Sequence, residues 1–421
     1  MIIKNISCLV TCAGNFPKIK ENLKDAGIVD NGYIIVDKDN IVEVGSGDGY
    51  KKYLDCNRPV IDGRGKTVTP GLVDSHTHVV YAGSREKELS MKLKNVKYID
   101  ILKAGGGILS TVNSVRKTPM EKIENETKDR LDRMLLHGTT TVESKSGYGL
   151  DFENEMKMLQ VNKNLNKKHP MDIVSTYLGA HAIPEEFKDN REGYIDFMIN
   201  SVIPYVREHN MAEFVDCFCE KGVYTAGEAR KILEAGKKAG LKAKIHADEV
   251  ESASAAELAG EMRAVSAEHL VSASDEGIKS LADNKVVAVL LPTTSFYLML
   301  NKFAPARKMI EEGVIVALAT DCNPGTSPTE SLQATMTFAC FGLKMLPEEI
   351  INAMTINGAA AISRESQIGS IEAGKKADIT VFNAKSLDYL IYHFGVNAVD
   401  TVVKNGEIVV KNGKLVYTNI V

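Results

Sequence analysis

The stretch Thr69-Pro-Gly-Leu-Val-Asp-Ser-His76-Thr-His78 decides how the chain is interpreted. An apolar run follows a Pro-Gly turn and ends in two histidines that are separated by one residue. Residues i and i+2 of a strand face the same side, so the two imidazoles are expected to converge. Because imidazole is a good ligand for Zn²⁺ and for iron, this pattern predicts part of a metal site at the end of a strand.

The surrounding chain alternates apolar runs with helical segments. The predicted strands are Thr67–His76, Thr139–Glu143, Ile173–Gly179, Phe214–Cys219, Ala243–His246, Ala264–His269, Val286–Leu291 and Val314–Thr320. The predicted helices include Met120–Leu136, Glu192–Glu208, Ala226–Ala239, Pro347–Met354 and Gly358–Ile362. Apolar strands that alternate with helices are typical of a parallel sheet buried on both faces. Eight such units predict an α/β fold, the (β/α)₈ TIM-type barrel.

Both ends of the chain are rich in short strands and turns. The predicted strands are Ile2–Val10, Gly32–Val36, Ile41–Val44, Val60–Asp62, Asp378–Phe382, Val399–Lys404, Glu407–Val410 and Lys414–Thr418, and Asn405-Gly and Asn412-Gly are hairpin signals. Short strands need a partner layer that covers their apolar faces. We therefore expect residues 1–65 and 366–421 to pair into one small β-sandwich domain beside a barrel of residues 66–365.

The composition is typical of a globular enzyme and argues against several other classes. Of the 421 residues, 44% are hydrophobic and 25% are charged, and the net charge is -4, which provides no basic stripe for nucleic acid. No apolar run approaches the roughly 18 residues of a membrane helix, and the N-terminus lacks the pattern of a signal peptide. We expect a cytoplasmic protein. Seven scattered cysteines without a CxxC pair argue against a disulfide framework and a structural zinc module.

Two more residues complete a candidate set of metal ligands. His246 and Asp321 each end a predicted strand, and the carboxyl ends of barrel strands meet at one face. His76, His78, His246 and Asp321 therefore form a set of four ligands with room for water. An open position of this kind is typical of a catalytic metal and not of a structural one.

These segments resemble the amidohydrolase superfamily over nearly the whole chain. The shared features are TPGLVDSHTH, the β-rich ends, the late strand that ends in Asp321, and Gly369-Ser-Ile-Glu-Ala-Gly-Lys-Lys-Ala-Asp-Ile. Within the superfamily, the chain is most similar to the imidazolonepropionase family. The matching segments are Ala82-Gly-Ser-Arg-Glu, Gly105-Gly-Gly-Ile, Glu143-Ser-Lys-Ser-Gly-Tyr-Gly, Leu178-Gly-Ala-His-Ala, His246-Ala-Asp-Glu and Thr320-Asp-Cys-Asn-Pro-Gly-Thr. The resemblance implies hydrolysis of 4-imidazolone-5-propionate to N-formimino-glutamate in histidine degradation, and a homodimer.

The resemblance also implies one divalent metal ion, Zn²⁺ or iron (Fe²⁺ or Fe³⁺). Members of the superfamily with two metals commonly use a carboxylated lysine at the end of the fourth strand. Here the fourth predicted strand, Phe214–Cys219, continues into Glu220, and Lys221 lies one place further. A shift of one residue along a strand turns the side chain to the other face, which favours a site with one metal.

Three residues are candidates for the catalytic steps around the metal, which would activate a water molecule. Glu249 lies three residues after His246 and is predicted to transfer the proton to the ring nitrogen. Asp321 is a second candidate for this role. His269 ends the next strand and is predicted to polarise the attacked carbonyl.

The resemblance implies a substrate that carries a propionate group. Arg85 is the candidate partner of the carboxylate, since a guanidinium binds a carboxylate through two parallel hydrogen bonds. Tyr148, between two glycines, is a second donor to the same group. The predicted contacts to the ring or to the product are His181, Glu249, Asn323, Gly325 and Thr326.

Two other functions stay open at this point. A deaminase of an aminated heterocycle, such as cytosine or guanine, would use the same ligands and the same acid but would not need Arg85. A non-catalytic binding protein is the least favoured alternative, because all of the ligand residues are present. The glycines at 105–107 lack the Gly-Lys-Ser/Thr of a phosphate loop. We interpret the remaining histidines as structural or surface residues, namely His137, His169, His209 and His393.

Overall fold

The computed structural model describes residues 1–14, 16–56, 58–94, 96 and 106–417. Its strands are β1 (Ile2–Val10), β2 (Ile28–Asp37), β3 (Asn40–Ser46), β4 (Val60–Asp62), β5 (Thr67–Pro70), β6 (Leu72–Asp74), β7 (Thr139–Lys145), β8 (Asp172–Ala180), β9 (Phe214–Cys219), β10 (Lys242–Ala247), β11 (Ser266–His269), β12 (Val287–Leu290), β13 (Ile315–Leu318), β14 (Ile379–Phe382), β15 (Val399–Lys404), β16 (Glu407–Lys411) and β17 (Lys414–Leu415).

Helices alternate with the barrel strands along the chain, and further helices follow the last barrel strand. They are α1 (Glu86–Leu93), α2 (Ile108–Lys117), α3 (Met120–Leu136), α4 (Phe152–Lys168), α5 (Arg191–Phe197), α6 (Ile203–Glu208), α7 (Ala226–Ala239), α8 (Ala255–Glu261), α9 (Asp275–Asp283), α10 (Pro292–Tyr297), α11 (Ala306–Glu312), α12 (Leu332–Phe341), α13 (Pro347–Ala353), α14 (Ile356–Ala361) and α15 (Leu387–Tyr392). The 3₁₀ turns are Lys20–Lys24, Gly49–Cys56 and Glu185–Phe187. In the described part of the chain, no helix combines the length and apolarity that a membrane span requires.

The sequence sets the ends of these helices through local hydrogen bonds. The side chain of Thr225 accepts from the backbone N–H of Glu228, and the Glu228 carboxylate accepts from the backbone N–H of Thr225, which begins α7. Gly240 ends this helix in a left-handed conformation, with φ of 91°. The predicted helix Glu192–Glu208 forms with one departure, because a π-helical turn at Met198–Val202 joins α5 to α6.

The barrel is confirmed. Strands β6 to β13 form one eight-stranded sheet within the described residues, and neighbouring strands are parallel throughout. The barrel is closed by hydrogen bonds between the segment that follows β13 and the segment that follows β6. The backbone N–H of Asp321 donates to His76 O at 3.1 Å, and the N–H of His78 donates to Cys322 O at 2.9 Å. These bonds join the ends of β6 and β13 at the carboxyl face of the barrel.

The terminal segments pair with each other, as predicted, and form one nine-stranded sheet among the described residues. The strand order is β17-β16-β15-β14-β5-β1-β2-β3, and β4 pairs with β1. The sheet encloses its own apolar core, whose members include Ile3, Leu9, Ile34, Val68, Val381 and Val403. Both predicted hairpins form. Asn405, Gly406, Asn412 and Gly413 all have positive φ, as tight type I′ turns require.

One predicted strand is wrong. Thr67–His76 is not continuous, because β5 pairs with β1 and β14 in the terminal sheet, whereas β6 belongs to the barrel. The chain changes sheets at Gly71, whose N–H donates to Asp378 O at 2.8 Å. The last predicted strand ends at Leu415, and its final residue, Thr418, lies outside the described residues.

Gly71 offers a test of this crossing point. A Cβ at position 71 would lie 2.3 Å from Thr140 Oγ1, which is buried in β7. We expect Gly71→Ala to destabilise the fold by about 1–3 kcal/mol through overpacking, and to lower the melting temperature in a thermal denaturation experiment. Gly227→Ala is the control, because a Cβ in that helical position would meet open space and should leave the melting temperature equal or higher. Equal melting temperatures for the two variants would contradict the tight crossing.

Candidate metal centre and active site

The structure brings the four predicted ligands together at the carboxyl face of the barrel. His76, His78, His246 and Asp321 are all buried. Asp321 Oδ1 lies 3.5 Å from both His76 Nε2 and His78 Nε2, and the Nε2 atoms of His78 and His246 are 3.4 Å apart. Ligand atoms that bind the same Zn²⁺ ion at about 2.0–2.2 Å are roughly 3–3.5 Å from their neighbours. The spacing therefore fits a divalent cation at the centre of the set.

The protonation of His76 also fits a cation. Burial, together with the charge of Lys145, holds the pKa of His76 well below its usual value, so its imidazole is neutral and able to bind metal. Neither ring nitrogen of His76 has a hydrogen-bond partner among the described residues, although both are buried. Buried polar atoms are nearly always paired, so this histidine lacks a partner that a metal ion would provide.

Two residues of the site have a backbone conformation that few residues other than glycine adopt. His269, at the end of β11, has φ of 68°, and Asp321 has φ of 55°. A left-handed backbone costs free energy at residues other than glycine, and such positions are common at functional sites. Asp321 is held by Thr294, whose hydroxyl donates to Oδ2 at 2.7 Å. Burial raises the pKa of Asp321 to about 6.

Glu249 and His269 face the ligand cluster from its side. Burial, followed by the charge of Asp321, raises the pKa of Glu249 to about 8, so its carboxyl group holds a proton at neutral pH and is able to donate it. Glu249 Oε1 lies 3.7 Å from His269 Nδ1. The His269 ring is 5.6 Å from the His76 ring, and ligand atoms of His76, His269 and Asp321 lie within 4.8 Å of one another. Both predicted catalytic residues thus border the candidate metal position.

A cavity of about 510 Å³ opens onto this cluster. Its lining includes most of the predicted site, namely His78, Arg85, Tyr148, His181, His246, Glu249, His269, Asp321, Asn323 and Thr326. Its apolar walls come from Ile108, Phe218, Val223, Val250, Leu298 and Leu300. A cavity with apolar walls and a few convergent polar groups is typical of a small-molecule site.

Two cations lie at one part of the cavity. Arg85 is held by Glu88 through two hydrogen bonds of 2.8 and 2.9 Å, and Glu88 also accepts from the N–H of Gly107 at 2.8 Å. Lys92 Nζ donates to Gly325 O at 3.0 Å. A Cβ at position 325 would lie 2.1 Å from Arg85 Nη1, so glycine there allows the guanidinium to approach the loop. Gly325 thus has a packing role that the sequence did not indicate.

The remaining predicted contacts surround the cluster. The His181 ring stacks on His78 with centroids 5.0 Å apart, and its Nδ1 lies 3.0 Å from Gly147 O. The Tyr148 ring is 5.2 Å from His181. Asn323 holds its own loop, because Oδ1 accepts from the N–H groups of Gly325 and Thr326 at 2.8 Å each. Asn323 is therefore a structural support of the loop in this structure.

Other predicted residues lie where the sequence suggested. Lys221 is exposed and pairs with Glu251 at 2.7 Å, so it does not join the ligand cluster. His169 pairs with Asp132 at 3.1 Å, and His209 and His393 are exposed. His137 is partly buried and contacts Ser331 at 3.2 Å. The six cysteines whose side chains are described are free.

A buried charge network behind the cluster was missed by the sequence analysis. Asp216 Oδ2 lies 3.0 Å from His246 Nδ1, and Lys145 Nζ donates to Asp216 Oδ2 and to Glu143 Oε1, at 2.8 Å each. Lys244 pairs with Glu268 at 3.2 Å beside it. The available signal was a charged residue inside a short apolar strand, as in Phe-Val-Asp216-Cys-Phe-Cys. A charge in such a place is rarely buried unless it is paired.

Comparisons with known proteins agree with this geometry. A protein called imidazolonepropionase from Alkaliphilus oremlandii is 55% identical over 409 residues, which cover 97% of this chain and 97% of that protein. One of the same name from Treponema denticola is 55% identical and covers 92% of this chain and 94% of its own. The chain belongs to the imidazolonepropionase family. The profile of the broader amidohydrolase family matches residues 213–409.

Solved structures show that this chain shares its fold with distantly related proteins. An atrazine chlorohydrolase from Arthrobacter aurescens, complexed with zinc, has a TM-score of 0.68 at 16% identity and covers 99% of this chain and 96% of its own. An adenosine deaminase from Xanthomonas campestris with bound zinc has a TM-score of 0.69 at 17% identity, with coverages of 99% and 94%. At this identity the likeness establishes the fold alone.

The ligand geometry predicts a stabilising effect of metal. Adding Zn²⁺ to the metal-free protein should raise its melting temperature, because a ligand at 100 times its dissociation constant stabilises the folded state by about 2.7 kcal/mol. His76→Ala should abolish this increase in a thermal shift assay. His209→Ala, which changes an exposed histidine, should retain it. An increase of equal size in His76→Ala would place the metal elsewhere.

Proposed function

We propose that the protein hydrolyses the cyclic amide of 4-imidazolone-5-propionate to N-formimino-glutamate, a step of histidine degradation. The observation that carries this proposal is the pairing of two chemical features in one cavity. A candidate metal cluster of His76, His78, His246 and Asp321 borders this cavity, since three of the four residues line it, and the cations Arg85 and Lys92 line the same cavity. Relatives at 55% identity that bear the name imidazolonepropionase support the same activity.

The four ligands suit one divalent cation, which we propose is Zn²⁺ or iron. When bound, such an ion would lower the pKa of a water molecule towards neutrality and polarise the carbonyl group of the ring. The imidazoles of His76 and His78 are kept neutral by burial, so they are ready to bind without losing a proton first. The location of Lys221 outside the cluster supports a single ion.

Glu249 is the proposed proton carrier. Hydrolysis of an amide requires a base for the attacking water and an acid for the leaving nitrogen. The buried carboxyl group of Glu249 lies beside the cluster, and its raised pKa lets it change protonation near neutral pH. Asp321 is the alternative carrier, and its carboxylate is already engaged by Thr294. His269, whose pKa burial holds well below its usual value, is neutral and can donate one N–H to the ring carbonyl.

The substrate contacts follow from the lining of the cavity. Arg85 and Lys92 would receive the propionate group, with Tyr148 as a further donor. The ring would lie between this end and the metal, against His181 and Glu249. The loop of Asn323, Gly325 and Thr326 would position the carboxylate or the product through its backbone and its hydroxyl group.

A deaminase acting on cytosine or guanine is the alternative on the same fold. Such an enzyme would use the same metal ligands and the same acid. Its substrates lack a carboxylate, so it would have no use for two cations beside a ring of this size. Arg85 and Lys92 therefore favour the imidazolone substrate.

The experiment that separates the two activities offers each substrate to the purified, metal-loaded protein. With imidazolone propionate, we expect the absorbance of the ring to disappear without release of ammonia, because the ring opens and both nitrogens stay in the product. With cytosine or guanine we expect no change. Release of ammonia from either base, with the imidazolone left intact, would replace our proposal with the deaminase.

Replacing Arg85 tests the recognition of the propionate group. We expect Arg85→Ala to raise KM about 10- to 150-fold, because charge-assisted hydrogen bonds are worth about 1.5–3 kcal/mol, and to change kcat much less. Steady-state kinetics on the imidazolone measure both constants. Arg64→Ala, at an exposed arginine paired with Asp62, is the control and should leave KM unchanged. An unaltered KM in Arg85→Ala would exclude Arg85 as the carboxylate partner.

We also propose a cytoplasmic homodimer that binds neither nucleic acid nor membrane. The net charge of -4 supports the first exclusion. An exposed aromatic surface supports association of two copies, since the rings of Phe341 and Phe394 lie 6.3 Å apart and Tyr392 is also exposed. Large exposed apolar side chains that cluster are typical of protein interfaces.

A further inference from the structure

Lys145 lies in the barrel interior, between two segments that carry candidate metal ligands. Its ammonium group is fully buried and donates to Glu143 Oε1 and Asp216 Oδ2, each at 2.8 Å. Neither carboxylate belongs to the proposed ligand set, and neither lines the cavity described above. Burying the charges of Lys145, Glu143 and Asp216 has a large desolvation cost, which indicates that the three groups have a role in the structure or the site.

The HxH segment is held by the strand of Glu143 and Lys145, and one of the bonds comes from the first carboxylate. Glu143 Oε2 accepts from the backbone N–H of Thr77 at 3.3 Å, and the hydroxyl of Thr77 donates to Glu143 O at 2.7 Å. The backbone N–H of Lys145 donates to Thr77 O at 3.0 Å. Thr77 is the residue between His76 and His78, so these three bonds fix the segment from which two ligands project.

The second carboxylate controls the third histidine. Asp216 Oδ1 accepts from the backbone N–H of His246 at 3.2 Å, and Oδ2 lies 3.0 Å from His246 Nδ1. This leaves Nε2 directed at His78 Nε2, 3.4 Å away. A carboxylate on the far nitrogen of a metal-binding imidazole fixes the tautomer and the orientation of the ring.

We propose that Lys145 is a positioning residue that couples the HxH segment to His246, by holding Glu143 and Asp216 in one salt-bridged unit. The inference rests on the proposed metal site. Without the ammonium group, the two carboxylates would repel each other across the barrel, and each would release the ligand segment that it holds. Burial would lower the pKa of Lys145, but Asp216 and Glu143 raise it above its usual value, which favours the charged form of the side chain.

The test measures metal binding by the full-length chain, independently of catalysis. Metal-free wild-type protein and variants are titrated with Zn²⁺ in competition with a chelating dye. Lys145→Met should weaken Zn²⁺ binding about 10- to 100-fold, the usual effect of removing a group that orients a ligand. Lys404→Met is the matched control. It removes a buried lysine that also pairs with two carboxylates, Asp378 at 2.7 Å and Asp172 at 2.8 Å, but that lies in the terminal sheet and holds no segment carrying a candidate ligand.

Glu143→Gln is a second variant that guards against a failure to fold. It keeps a balanced pair of Lys145 and Asp216 and breaks the charged link towards Thr77, so Zn²⁺ binding should again weaken by at least 10-fold. Circular dichroism of each metal-free variant establishes that it is folded. Weaker binding in folded Lys145→Met, or in folded Glu143→Gln if Lys145→Met does not fold, supports the proposal when Lys404→Met binds Zn²⁺ within about threefold of wild type.

The remaining outcomes overturn it. Wild-type affinity in folded Lys145→Met, or in folded Glu143→Gln if Lys145→Met does not fold, would show that the ligands hold their own positions. An equal loss in Lys404→Met would reduce Lys145 to one of several buried charges. If neither Lys145→Met nor Glu143→Gln folds, Lys145 is a general stabilising residue and the inference fails. Failure of the wild type to bind Zn²⁺ would instead refute the proposed metal site itself.

Discussion

The backbone hydrogen bonds between the HxH segment and the Asp321 segment support both the fold and the site. The N–H of Asp321 donates to His76 O, and the N–H of His78 donates to Cys322 O. These bonds join the last barrel strand to the first, and the same residues carry three of the four candidate ligands. Closing the barrel and assembling the ligands are therefore one event. A barrel that failed to close would separate Asp321 from both histidines.

This arrangement concentrates charge where solvent is excluded, and pairing offsets the cost. Asp216 shows how this works. Burial alone would raise its pKa, but His246 and Lys145 hold it well below its usual range, so the carboxylate stays ionised. For Glu249, burial and the charge of Asp321 raise the pKa, and only His246 opposes them. Its carboxyl group therefore keeps a proton near neutral pH. The paired carboxylate of Asp216 holds the structure in place, while the carboxyl group of Glu249, with its raised pKa, is suited to proton transfer.

The sequence indicated which candidate ligands would lie together, because each of them comes at or after the end of a strand. His76, His78, His246 and Asp321 each follow or end an apolar run, and the parallel barrel places such residues on one face. The division of Thr67–His76 between two sheets was not predictable, because β5 and β6 form one apolar run and only their different partners separate them. Lys145 and Lys92 were missed for a similar reason. The sequence does not show whether the ammonium group of a lysine is exposed to solvent or buried in an ion pair, because this depends on the residues that surround it in the folded protein.

The order of strands in the terminal sheet affects how the protein is made. Strand β5 lies between β1 and β14, and β14 begins on the order of 300 residues after β5 ends. At about 5–20 residues per second, a ribosome needs about 15–60 s to supply that strand. Throughout that time one edge of β5 has unsatisfied backbone groups, which invite pairing with other chains. The nascent polypeptide thus passes through an aggregation-prone interval, during which a chaperone that shields this edge would raise the yield of native enzyme.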